Sequence, residues 1–87
     1  MNLNTYGTVI GINPKTSLIA VRIDSGDISI LEVEDTSEFE INDVLYGGLE
    51  QEGDNLIFNK TGKNDHDVYI QSTGCNFRTA HSFLFST

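Results

Sequence analysis

Tryptophan is absent from the 87 residues, and cysteine, proline and methionine occur once each. The lone Cys75 excludes an internal disulfide and points to a reducing compartment. No apolar run nears the roughly 20 residues that a spanning helix needs, so a membrane segment is excluded. The opening Met1-Asn2-Leu3-Asn4-Thr5 has neither a positive region nor an apolar core, so no secretory signal is read there and the expected setting is cytoplasmic. Positive charge is scarce: five bases face thirteen acids, for a net charge of −8. Between Arg22 and Lys60 stand eleven acids and no base. A field of that sign repels phosphate backbones, which are held mainly by lysine and arginine, and makes nucleic acid an unfavoured partner. The same acids keep a small domain soluble, or offer a negative surface to a basic protein.

What is present is extended structure. The length suits one domain, 1–87, with a single core. Its 5–59 portion reads as a barrel core, and 60–87 as one further strand and a helix. Thr5 to Ile12 is β-branched and aromatic, with Gly7 and Gly11 as points of bending or close backbone approach. Asn13-Pro14-Lys15-Thr16 is a turn. In the next strand, Ser17–Ile23, Ile19, Val21 and Ile23 share the face expected to enter the core; Leu18, Ala20 and Arg22 share the other. A turn at Asp24-Ser25-Gly26-Asp27 leads into a third strand, Asp27–Glu34. There Ile28 and Ile30 fall on the face of Glu32 and Glu34, opposite Leu31 and Val33, so a bulge is expected near Ile30-Leu31. Asp35 or Thr36 is placed to cap a helical turn that ends on Phe39 as a plug for the barrel mouth.

The pivot of the chain is Phe39-Glu40-Ile41-Asn42-Asp43-Val44, a reversal whose Asx pair tolerates unusual dihedrals. A fourth strand is expected over Val44–Glu50, a hairpin turn at Glu52-Gly53-Asp54-Asn55, and a fifth strand over Leu56–Asn59. A polar loop covers 60–65, an extended segment covers His66–Gln71, and Ser72–Cys75 breaks it. Asn76 then caps a terminal helix with Phe77, Ala80, His81 and Leu84 on one face. That geometry leaves Phe83 and Phe85 pointing partly outward.

Residues 5–59 resemble an OB-fold of the S1 and cold-shock type. Gly7-Thr8-Val9, Ile19-Ala20-Val21 and Gly26 carry the likeness, with Phe39 to Val44 similar to that family's reversal before its fourth strand. An SH3-like barrel would give much the same pattern. The whole chain also resembles small bacterial barrel proteins with a terminal helix, through Val68-Tyr69-Ile70 and Gly74-Cys75 before Asn76. That likeness implies a fold and a bacterial cytoplasm, and no activity. The expected fold class is therefore mainly β, a small five- to six-stranded OB-like or SH3-like barrel with a short C-terminal helix.

The OB resemblance implies binding of single strands on the face of the second and third strands, by aromatic rings above a basic groove. Here those strands hold no aromatic residue and one base, Arg22. Asp65-His66-Asp67 with His81 and Cys75 has metal-ligand chemistry but no zinc spacing, so no metal and no cofactor is expected. Cys75 ahead of a helix N-terminus could be a reactive thiol paired with His66 or His81, yet no oxyanion motif accompanies it. The expectation is a non-enzymatic acidic binding module for a protein partner, or a homodimer. Glu32, Glu34 and Asp35 form its acidic surface, and Phe83 and Phe85 its aromatic one. The alternative is a single-stranded nucleic-acid binder that stacks bases on Tyr6, Tyr46, Phe58 or Tyr69.

Overall fold

The computed structural model describes residues 4–85. Strand β1 (Thr5–Asn13), β2 (Leu18–Ile23) and β3 (Ile28–Val33) form one meander. A 3₁₀ turn (Thr36–Glu38) leads to a second meander of β4 (Val44–Gly47), β5 (Gly53–Asn59) and β6 (Asn64–Cys75), and helix α1 (Phe77–Phe85) ends the chain. All pairings are antiparallel. The order β1-β2-β3-β6-β5-β4 closes into a barrel, with β1 returning to β4. The molecule is a closed six-stranded antiparallel barrel with a C-terminal helix.

Two apolar clusters explain the composition of the strands. The interior holds Val9, Ile19, Val21, Ile23, Leu31, Val33, Phe39, Leu45, Leu49, Ile57, Val68 and Ile70. The second lies outside the barrel, where Leu18, Ala20, Ile28, Ile30 and Cys75 are covered by Ala80 and Leu84 of α1. Each full burial of such an aliphatic side chain contributes about 1.5–3 kcal/mol. Ile19, Val21 and Ile23 therefore enter the core as the alternation predicts. Leu18 and Ala20, expected to share the other face with Arg22, are buried as well, because the helix roofs them.

The same roof corrects the reading of β3. Its side chains alternate regularly, with Ser29, Leu31 and Val33 buried on one side and Ile28 and Ile30 under the helix. The register does slip at Ile28/Ile30 and Ile30/Leu31, but the extra residues are in β6: Ile28 faces Cys75, Ile30 faces Ser72 and Leu31 faces Ile70. Ser72–Gly74 accordingly does not break the strand; it is the bulged stretch that lets β6 run on to Cys75. Gly11 shows why the helix can lie so close, since a Cβ there would stand 2.8 Å from Leu84 Cδ2. Gly7 is packed as closely on the inside, where a Cβ would meet Val21 Cγ1 at 2.5 Å.

The polar turns hold as the Asx chemistry predicts. Asp35 caps the 3₁₀ turn, accepting from Ser37 N at 2.9 Å and from Ser37 Oγ at 2.6 Å. Phe39 closes the barrel end against the His66 ring, 4.5 Å between centroids. Asn42 adopts φ +79° at the pivot. Beside it the buried Asp43 carboxylate accepts from Glu40 N and from Asn59 Nδ2, both at 2.9 Å. Asn76 caps α1 through its Oδ1, which accepts from Thr79 N at 2.8 Å.

Other boundaries move. β4 stops at Gly47, and the chain doubles back to bury Leu49 in the barrel. β5 begins at Gly53, so Asp54 and Asn55 lie in a strand and not in a hairpin turn. Asp65-His66-Asp67 belongs to β6, because the turn before it is shorter than the expected polar loop. On α1 Ala80 and Leu84 face the barrel, whereas Phe77, placed on that face by its spacing, is 71% exposed. It borders a small hollow over Ile10, Gly11 and Ala20 without being buried there.

Candidate functional site

The end of β3 away from Ile28 is left open by the helix. There β3, β6 and β5 run side by side and border an open groove of about 510 Å³. Its walls carry Glu32 and Glu34 from the β3 side, Asp54 from β5, and Asp67 and Tyr69 from β6, with Ser17, Val33, Asn55 and Val68 between them. The strand register fixes the arrangement: Tyr69 pairs with Glu32 on one side and Asp54 on the other. Directly opposed residues on one sheet face have Cβ atoms about 4.5–5.5 Å apart, so Tyr69 stands on the sheet with an acidic residue on either side. Asp67 is one alternation along β6 from Tyr69, on the same face.

A second hollow of about 220 Å³ adjoins the first through Val33, Glu34 and Asp67. It adds Asp35, Glu38, Asp65 and His66. No lysine or arginine lines either hollow. Carboxylates in a concave wall reinforce one another's field, and a cation entering there is attracted from several sides. The Ser37 hydroxyl, then the Ser37 amide, hold the Asp35 carboxyl below its ordinary pKa. That keeps it charged to lower pH than a free aspartate.

Of the residues expected to bind a partner, the structure thus brings Glu32 and Glu34 into one groove and Asp35 to its neighbour. Phe83 and Phe85 are elsewhere, on α1, 39% and 50% exposed. The His81 ring lies between Phe77 and Phe85, at 6.4 and 5.0 Å between centroids. Asp54, Asp67 and Tyr69 were not legible as groove residues. The alternation Asp65-x-Asp67-x-Tyr69, with Val68 and Ile70 as its apolar counterpart, would have put Asp67 and Tyr69 on one strand face; nothing local joins Asp54 of β5 to them.

The metal and thiol candidates separate for the same reason. Asp65 and Asp67 are exposed on β6, while His66 between them packs on Phe39. Among the described residues no group of three or more His, Cys, Asp or Glu side chains could hold a metal ion. Cys75 is buried under the helix, its Sγ 3.4 Å from Ser72 Oγ and 3.9 Å from Thr73 O.

The rings of the stacking alternative lie on the outer surface of β1 and of the second meander. Tyr6 on β1 pairs with Tyr46 on β4, and Tyr46 with Phe58 on β5. The Tyr6 and Tyr46 centroids are 4.6 Å apart, and Lys60 Nζ sits 5.0 Å over the Tyr6 ring. The outer face of β2 and β3, by contrast, is roofed by α1 over Leu18, Ala20, Ile28 and Ile30. Among the described residues no helix is long and apolar enough to cross a membrane. The chain matches no protein-family model, no curated protein and no solved structure.

Proposed function

We propose that the chain is a non-enzymatic, acidic, OB-like binding module of the cytoplasm, and that its groove receives a basic segment of a protein partner. One observation carries this reading: a tyrosine paired across the sheet with Glu32 and Asp54, with Glu34 and Asp67 in the same groove and no base among its described lining residues. An aromatic face attracts a cation, and carboxylates on either side add charge-assisted hydrogen bonds. The closed antiparallel barrel supports the OB-like assignment, with one strand more than that fold's usual five. The negative surface resists self-association through the groove, so the partner is a different protein.

The nucleic-acid reading is favoured by one feature, the Tyr6–Tyr46 ring pair under Lys60. Against it stand the helix over the outer face of β2 and β3 and the acids beside the remaining rings. Fluorescence anisotropy with labelled arginine-rich and glutamate-rich peptides tests the proposal. The arginine-rich peptide binds at low ionic strength, weakens with salt, and loses affinity to the Glu32→Gln/Asp54→Asn variant. Equal binding of both peptides, or no effect of the variant, would overturn it.

A further inference from the structure

We infer that the docking surface continues from the acidic groove along a diagonal apolar strip, and that its occupant is an extended basic segment with an apolar anchor next to its cations. This rests on the reading above and names the partner's chemistry. Asp54 pairs with Tyr69, so Leu56, two residues on, is Tyr69's diagonal neighbour on the same face. Leu56, 57% exposed, is followed by Phe58, Tyr46 and Tyr6 across β5, β4 and β1. The register makes them successive neighbours on the outer face, with the Tyr6 and Tyr46 rings in contact, and α1 packs on other strand surfaces. An exposed band of this kind on so charged a domain marks an interaction surface.

Charge along the band decides what covers it. Its β6 end is flanked by Glu32, Asp54 and Asp67, and Asp65 pairs with Phe58 farther along. Its far end is capped by the Lys60 ammonium over Tyr6. The surface is therefore polarised: cations are drawn to Tyr69 and turned away from Tyr6. A polyanion lying along the whole band would be repelled by the acids at its β6 end, and a wholly apolar peptide would leave those acids unanswered. The complementary segment puts arginine on Tyr69, where a planar guanidinium stacks on the ring and forks onto the carboxylates better than an ammonium does. Its apolar side chains then lie on Leu56 and Phe58. Crossing from β6 to β1 spans three inter-strand gaps, roughly 14 Å at about 4.8 Å each, or four to five extended residues.

Two labelled probes test this: a hexapeptide of three arginines followed by three glycines, and the same peptide with leucine in place of its last two glycines. The leucine peptide binds roughly tenfold tighter, the gain typical of one well-seated apolar anchor. Leu56→Ser removes that gain and leaves the plain peptide unchanged, and Phe58→Ala does the same; thermal unfolding confirms that each variant is folded. A plain peptide that binds while leucine adds nothing, or a gain that survives Leu56→Ser, overturns the strip and spares the groove. If neither peptide binds at low salt, groove and strip fall together. Capture of an oligothymidylate that depends on Phe58 overturns the inference in favour of base stacking.

Discussion

Truncating Leu84 to alanine should loosen the terminal helix and leave the barrel standing. A nine-residue helix is too short to persist in water alone, so tertiary contacts must hold it. Within α1 only Ala80 and Leu84 are buried. The barrel adds a hydrogen bond from Asn13 Nδ2 to the Leu84 carbonyl. Leucine-to-alanine changes in cores cost about 2–5 kcal/mol, and a helix free to settle belongs at the low end, about 2 kcal/mol. Because the interior cluster is separate from the one under the helix, that loss falls on the local opening of α1. Cys75 reports the opening, since its thiol is buried in the helix-covered cluster. With 1.4 kcal/mol per tenfold, alkylation of Cys75 by iodoacetamide should speed up roughly 30-fold in Leu84→Ala. The urea midpoint of the barrel should shift far less than a two-state loss of that size implies. An unchanged alkylation rate, or a global midpoint that drops by the full amount, would show that the helix is not a separately opening lid.

Two further perturbations read the polar scaffold. Asn59 is fully buried, donates to Asp43 Oδ2 and accepts from Thr61 N and Gly62 N at 3.1 Å each. Asn59→Ala takes one of two donors from the buried Asp43 carboxylate, leaves the Thr61 and Gly62 amides without their acceptor, and should cost about 3 kcal/mol in urea denaturation; an unaltered midpoint would refute the role. The Asp35 cap should show the pH signature of a depressed carboxyl. Its folded pKa lies below the unfolded one, so its contribution is complete above the ordinary aspartate range and is lost as pH falls through the lowered folded value. NMR titration should place the Asp35 midpoint below that of an unstructured aspartate. Ser37→Ala should move it back up, and a midpoint insensitive to Ser37 would contradict the assignment.

The parts of this fold that were legible in the sequence are those written locally. The Asp35 and Asn76 caps, the Asn42 pivot and the inward set Ile19-Val21-Ile23 each depend on a few adjacent residues. The parts that were not depend on what lies across the sheet. Ile28 and Ile30 suggested a strand that swaps faces, because nothing local says that a helix 50 residues later will cover them. The bulge was expected beside Ile30 for a sound reason and was found in its partner strand. The groove is of the same kind: Glu32, Asp54 and Tyr69 are far apart in the chain and become neighbours only through the registers of β3 and β5 with β6. Glu32 and Glu34 could be picked out by charge alone. Tyr69 could be picked out only as a ring, because its place between two acids follows from pairing.

The circular strand order bears on how any partner must make contact. Each of the six strands already has a hydrogen-bonded neighbour on either flank, so a visiting chain finds no whole strand edge to extend; the short β4 leaves only the ends of its neighbours, Gly53–Leu56 of β5 and residues 10–13 of β1, without a ladder partner on that side. Main-chain complementation, which tolerates many sequences, is confined to those short stretches. Whatever lands elsewhere on it is judged by side-chain shape and sign. The same self-sufficiency shields a small, strand-rich protein from stacking edge to edge with its own kind.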